Sequence, residues 1–317
     1  MNSNTVIQNN RPIVTVAVIT YNSARTVLET LDSVVNQSYM PENIELIISD
    51  DESKDNTVQV INEWLLHNKM FFHRVEFFIN SKNGGVPINC NVAWKAASAE
   101  WIKTIAGDDI LTPNCLDTFI NYAQLNKNAK CIFGLLEKFP VNDSNLYPKQ
   151  GTIQRKFYQL SAAQQFEALL IENLVYAPAS FINRSVLETL GYADTNYNLM
   201  EDYPLWLKLT SNGFQLHLVE ELVVKYRVGN SISQSLDKRN NVKFNSEVRD
   251  CKEKYSKLSK SIIKVFLIKM DCLIMRFYDA LSVFVFSGKH SVFLKPIKLF
   301  SPIFVYRKIN HRKDLSA

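Results

Sequence analysis

Several signatures of familiar chemistry are missing from this sequence. After the first apolar run there is no Gly-x-Gly-x-x-Gly; the position reads Thr20-Tyr21-Asn22-Ser23-Ala24, which excludes a dinucleotide-binding dehydrogenase. The Gly-rich, basic phosphate loop that a nucleotidyltransferase would carry near its first strand is also absent. The five cysteines (Cys90, Cys115, Cys131, Cys251, Cys272) are odd in number and lack metal-type spacing, which argues against a disulfide framework or a zinc site. His67, His73, His217, His290 and His311 show no ligand spacing either. Residues 1–11 lack a basic region followed by an apolar core, so a short disordered tail is expected there and export is not. From Ala280 to Lys313 there is no Asp or Glu, against seven Lys or Arg, so the net charge of +5 belongs to the C-terminus. That excess is modest, and no nucleic-acid partner is expected.

What is present is ample apolar material: 46% of 317 residues, enough for one large domain with an appendage or for two. Ile13 to Thr20 is a continuous β-branched run, the pattern of a strand covered on both faces. Val27, Leu28, Leu31, Val34 and Val35 then recur at helical spacing, with Asn22 or Ser23 available as the cap. The alternation continues with a strand over Glu45–Ser49, a helix marked by Val58, Ile61, Trp64 and Leu65, and a strand over Val75–Asn80. A turn at Asn83-Gly84-Gly85, a helix over Asn89–Ala99 and a strand over Trp101–Ala106 complete it. Such regular alternation predicts a doubly wound, mostly parallel α/β sheet flanked by helices.

The second half alternates less evenly. Cys131–Phe139 reads as a strand, Asn142–Thr152 as a surface loop able to act as a lid, Ser161–Glu172 as a helix and Tyr176–Asn183 as extended. Met200–Leu209 opens a helix with Pro204 in its first turn, where Trp206 and Leu209 read as core, and Gln215–Val228 reads as one strand or two. From Ile262 to Leu281 an amphipathic helix is expected. Ile262, Ile263, Phe266, Leu267, Met270, Leu273, Ile274, Phe277, Tyr278 and Leu281 share its apolar face, and its charged residues argue against a membrane span.

Acidic residues mark three places. Asp108 and Asp109 follow the strand ending at Ala106, where Gly107 releases the backbone, so they sit at the carboxyl edge of the sheet, where open α/β sheets bind ligands. Carboxylates are hard ligands suited to Mg²⁺ or Mn²⁺ shared with substrate phosphates; taken alone, the pair reads equally well as a cap for the helix after Pro113. Asp50 and Asp51 end the second strand, where a turn or capping role competes with a binding one. Glu201 and Asp202 open a later helix, where the helix dipole alone would favour acids.

In order and local context these stretches resemble the inverting, GT-A-fold glycosyltransferases of family 2. The resemblance rests on Val-Ile-Thr-Tyr-Asn at the first strand, Ser-Asp-Asp-Glu-Ser-Lys-Asp at the second turn, Gly-Asp-Asp as a variant of the Asp-x-Asp metal motif, and Glu-Asp-Tyr before Leu-Trp. It covers residues 12–235 and implies a catalytic domain there, with a nucleotide-sugar half over 12–112 and an acceptor half over 113–235. Residues 236–317 would form a helical, basic, membrane-associating appendage. The resemblance implies that Thr20, Tyr21 and Asn22 line the nucleotide pocket, that Asp51 meets the base with Asp50 shaping the turn, and that Gly85 and Asn91 belong to the donor site. It also implies that Asp109 binds Mn²⁺ or Mg²⁺ with Asp108 supporting it or meeting the ribose, and that Arg227 reaches the diphosphate. Asp202 would be the catalytic base, with Glu201 orienting it. Cys90 and Ala106 depart from the pattern, standing where relatives commonly carry Arg and the first Asp of the metal motif.

The expected activity is inverting transfer of a single sugar from a nucleotide-sugar, a UDP-sugar foremost, to a hydroxyl of a glycan or lipid-linked acceptor in surface polysaccharide synthesis. The absence of Gln-x-x-Arg-Trp argues against processive polymerisation. The expected location is cytoplasmic, on the inner face of the cell membrane, with packing on the catalytic domain or homodimerisation as the alternative use of the C-terminal helix. A catalytically silent sugar-nucleotide or glycan-binding module of the same fold is the competing reading.

Overall fold

The computed structural model describes residues 11–139, 152–228, 238–286 and 301–314. The tail before Arg11, most of the expected lid, Gly229–Ser233 and the run from 287 to 300 lie outside the described residues. β1 (Val14–Thr20), α1 (Val27–Val35), β2 (Ile44–Asp50), α2 (Thr57–Asn68), β3 (Arg74–Ile79), α3 (Val86–Ala96) and β4 (Trp101–Ala106) follow the expected alternation. β1 lies between β2 and β4, parallel to both, and β3 extends the sheet beyond β2. Covered on both faces, β1 needs apolar residues at successive positions, and Val16, Ala17 and Val18 are fully buried. α1 starts later than an Asn22 or Ser23 cap would allow, because the Ser23 carbonyl first accepts from the Thr26 and Val27 amides. α3 starts earlier than Asn89. Gly85 turns the chain at φ +85° and Pro87 fits the first helical turn, where its missing N–H costs nothing.

Beyond β4 the sheet becomes mixed. β5 (Ile110–Leu111), α4 (Cys115–Leu125), β6 (Cys131–Phe139), α5 (Thr152–Tyr158), α6 (Ala162–Leu169), β7 (Ser180–Asn183), α7 (Arg184–Leu190), α8 (Asp202–Ser211) and β8 (Leu216–Arg227) complete the eight-stranded order β3-β2-β1-β4-β7-β6-β8-β5. β7 runs antiparallel to β4 and β6, β8 parallel to β6, and β5 antiparallel to β8. The stretch expected to be extended from Tyr176 holds a single 3-10 turn at Ala177–Ala179, so β7 begins only at Ser180. α6 is also shorter than expected; Ser161 stands outside it as the N-cap, in a capping box with Gln164.

Two buried clusters flank the sheet. One includes Leu31, Ile61 and Phe119 from α1, α2 and α4. The other joins Trp94 of α3, Leu169 of α6 and Trp206 of α8 to the C-terminal helices α9 (Lys238–Ser256), α10 (Ile262–Phe286) and α11 (Pro302–Asp314), through Cys251, Ile268, Cys272 and Ile303. The C-terminal helices thus share the catalytic unit's core.

The inward side of α10 differs from the expected apolar face. Ile268, Cys272 and Tyr278 are buried, whereas Ile262, Ile263, Phe266, Leu273 and Phe277 face outward, each at least 59% exposed. Ion pairs from Arg276 to Asp250 and Glu253, and from Arg249 to Asp279, hold the charged side of α10 against α9, which leaves the apolar stripe outside. Among the described residues no helix is long and apolar enough to cross a membrane.

Candidate active site

The carboxyl ends of β1 and β2 build a hydrogen-bonded turn. Thr20 is buried, and its hydroxyl donates to Asp50 Oδ2 at 2.8 Å. Asp50 is fully buried; it accepts as well from the Ser53 amide and hydroxyl. Both residues therefore shape the turn from behind. Asn22 adopts φ 51° and accepts from the Lys54 amide, while Tyr21 is left 48% exposed at the rim. Asp51 accepts from Asn80 Nδ2 and the Gly84 amide on one oxygen and from the Gly85 amide on the other. It thereby fixes the glycine turn that starts α3. The Asn91 side-chain amide both donates to and accepts from the backbone of Ala193, pinning α3 to the loop before α8.

At the end of β4 the acid pair meets Arg227. β5 follows Asp109 directly and pairs with the end of β8, Ile110 opposite Lys225, which carries Arg227 back to the acids. The Arg227 amide donates to Asp109 Oδ1, its Nε to the Asp108 carbonyl and its guanidinium to Glu29, all at 2.8 Å, while the guanidinium lies over the Phe139 ring. Asp109 Oδ2 is buried with no hydrogen-bond partner. Burial and then the neighbouring Asp108 charge push Asp109 up to about 7, and burial also raises Asp108. An orphaned carboxylate oxygen beside a second acid fits a divalent cation. Among the described residues no cluster of three or more His, Cys, Asp or Glu side chains could hold one, so such an ion would take its other ligands from substrate phosphates and water. Asp109 is 1% exposed and Asp108 more accessible, so Asp108 is the more open of the two to such an ion.

Glu201 and Asp202 line a cleft of about 530 Å³. They stand at the N-terminus of α8, and Asn173 hydrogen-bonds Asp202. Both carboxyl groups are raised by burial, and the Asp202 charge adds to it at Glu201, which is pushed up to about 8. A smaller cavity of about 100 Å³ runs from the pair to Ala106 at the end of β4.

The glycosyl transferase family 2 model matches residues 15–191, more than half of the chain. The chain belongs to glycosyl transferase family 2. The transferase is 27% identical over 229 residues to an uncharacterized glycosyltransferase of Haemophilus influenzae, covering 71% of this chain and 68% of that one. It is 24% identical over 216 residues to the Escherichia coli UDP-Glc:alpha-D-GlcNAc-diphosphoundecaprenol beta-1,3-glucosyltransferase WfaP, covering 68% and 77%. Among solved structures, S. aureus TarS 1-349 in complex with UDP-GlcNAc superposes with a TM-score of 0.62 at 17% identity, over 90% of this chain and 78% of that one. The transferase spans 48% of the longer TarS chain. The Pyrobaculum calidifontis mannosyltransferase PcManGT, in complex with GDP-Man and Mn2+, gives 0.59 at 15%, over 97% and 88%. At these identities the structural matches show the GT-A fold.

The transferase also uses residues that no sequence motif marked. Phe244, Asn245, Val248 and Lys252 of α9 line the wall of the cleft, and the Leu199 amide, just before the acid pair, donates to Glu247. Lys138 and Tyr226, on adjacent strands, line it too. The only available signal was chain length beyond the motifs, since α9 is a largely polar helix.

Proposed function

We propose that this transferase moves one sugar from a nucleotide-sugar, with UDP as the nucleotide, to a hydroxyl of a glycan or lipid-linked acceptor in surface polysaccharide synthesis, with inversion and with a divalent cation. The observation that carries this reading is the orphaned Asp109 Oδ2 just after β4, next to Arg227, together with the half-buried Glu201–Asp202 pair that lines the cleft at the start of α8. Asp108 and Asp109 would hold Mn²⁺ or Mg²⁺, which when bound supplies Lewis-acid stabilisation to the departing diphosphate. Arg227 adds a fixed positive charge beside the same acids. Asp202 takes the proton from the acceptor hydroxyl as its oxygen attacks the anomeric carbon opposite the leaving group, which inverts the configuration. Glu201 orients the base, and the cleft walled by α9 receives the acceptor. The UDP-sugar and diphosphoundecaprenol in the printed name of WfaP support the donor and acceptor classes.

The outward stripe of α10 supports seating on the inner surface of the cell membrane, next to such an acceptor. Self-association through the same stripe would make a dimer instead, and the liposome measurement described below separates the two. Asp109→Ala should abolish transfer. Asp202→Asn should lower kcat by a factor of about 100 or more while leaving nucleotide-sugar binding close to unchanged. Full turnover in excess chelator, or wild-type kcat in Asp202→Asn, overturns this assignment.

A further inference from the structure

We propose that the donor sugar carries a 2-acetamido group, and that the small cavity beneath the acid pair is the pocket that reads it. The inference rests on the donor-site reading above and narrows it to N-acetylhexosamine donors. The cavity measures about 100 Å³, room for a few waters' worth of atoms and too little for a whole pyranose ring. Ala106 at the end of β4 and Glu201 and Asp202 at the start of α8 are among its walls. A sugar whose anomeric carbon lies at Asp202 would have the substituent on the adjacent carbon within reach of it.

The chemistry of the walls selects the substituent. Ile19, Val86, Ile182 and Leu205 make most of the lining apolar, which suits a methyl group. The polar groups of the lining are already engaged: Thr104 accepts from Trp94 Nε1 at 2.8 Å, and Ser180 donates to the Ala177 carbonyl at 2.7 Å. Trp206 is the exception. It is 2% exposed, lines the cavity, and its indole Nε1–H has no hydrogen-bond partner among the described residues. A buried donor left unpaired is costly, so the fitting ligand brings an acceptor.

An acetamido group meets all three demands, with its methyl against the aliphatic wall, its carbonyl oxygen accepting from Trp206 and its N–H toward the carboxyl pair at the mouth. A bare hydroxyl in the same place leaves the apolar wall uncovered. Cys90 also lines the cavity, and its short side chain leaves the space open.

The test compares affinities of the full-length protein for UDP, UDP-GlcNAc, UDP-GalNAc, UDP-Glc and UDP-Gal by calorimetry in the presence of Mn²⁺. The acetamido donors should bind about tenfold or more tightly than their hydroxyl counterparts. Trp206→Phe should cut that advantage several-fold, and Cys90→Leu, which fills the cavity, should erase it. Both variants should leave UDP affinity unchanged, which also reports that they are folded. If UDP binds but the two donor classes bind equally, or the advantage survives both variants, the acetamido pocket is wrong while the donor site stands. If UDP itself does not bind, both fall.

Discussion

Two adjacent, half-buried carboxyl groups at the start of α8 cannot both be charged without cost, and burial together with the Asp202 charge pushes Glu201 up to about 8. The folded pair therefore keeps a proton at pH values where the unfolded chain, with carboxyl pKa values of about 4, has lost it. Stability should fall as pH rises from about 4 toward 8, and the pair should reach its fully ionised form only at the upper end of that window. Transfer rate should climb through neutrality. Glu201→Gln removes the competing charge and should move that rising limb to lower pH, so superimposable kcat profiles of variant and parent would assign the base elsewhere. Gly85 is a second sensitive position. At φ +85° a Cβ would stand 2.5 Å from the Asn198 carbonyl, and the Gly85 amide is one of the donors that hold Asp51. Gly85→Ala should cost about 2 kcal/mol or more in urea denaturation; equal stability would show that the turn relaxes freely.

Among the elements, α9 bears on activity more than its polar sequence suggests. Its Glu247 holds the Leu199 amide, which sets the path of the chain into Glu201, and its apolar positions close the acceptor cleft. α10 and α11 in turn bury Ile268, Cys272 and Ile303 in the core that Cys251 of α9 shares. Ending the chain after Ser259 removes those side chains, each worth about 1.5–3 kcal/mol when fully buried for the larger aliphatics. The truncated protein should melt at a lower temperature and lose transfer even to a soluble acceptor. Parent-like melting and turnover would make the last two helices a detachable appendage.

At the scale of the full chain, the net positive charge gathers at the C-terminal end. The outward stripe of α10 places Phe266, Leu273 and Phe277 in solvent, and from Ala280 to Lys313 the chain is basic without a compensating acid. Aromatics entering a lipid interface while each nearby Lys or Arg contributes about 1 kcal/mol should give salt-sensitive attachment. The protein should sediment with anionic liposomes at low salt. Phe266→Asp combined with Phe277→Asp should release it while leaving the melting temperature close to unchanged, because both side chains are already exposed. Sedimentation that survives this double substitution would remove the stripe from the contact.

The apolar runs at β1, β2 and β4 were legible because a strand buried on both faces leaves almost no freedom of composition, and the acids that end them follow from that register. The sheet edge, the Asp108–Asp109 pair and the start of α8 could therefore be placed from local pattern alone. Other contacts depend on residues far apart in the chain. Asp50 and Thr20 are identical in type to pocket residues, yet a 2.8 Å bond between neighbouring strands buries both behind the turn. Asn91 spends its amide on Ala193, 102 residues away. The side of α10 that faces inward was decided by ion pairs with α9, since a helix apolar on more than one side has no preferred face until a partner is packed against it. The cavity at Trp206 needed β1, α3, β4, β7 and α8 to enclose it, and a space enclosed by distant segments has no periodicity of its own to be read.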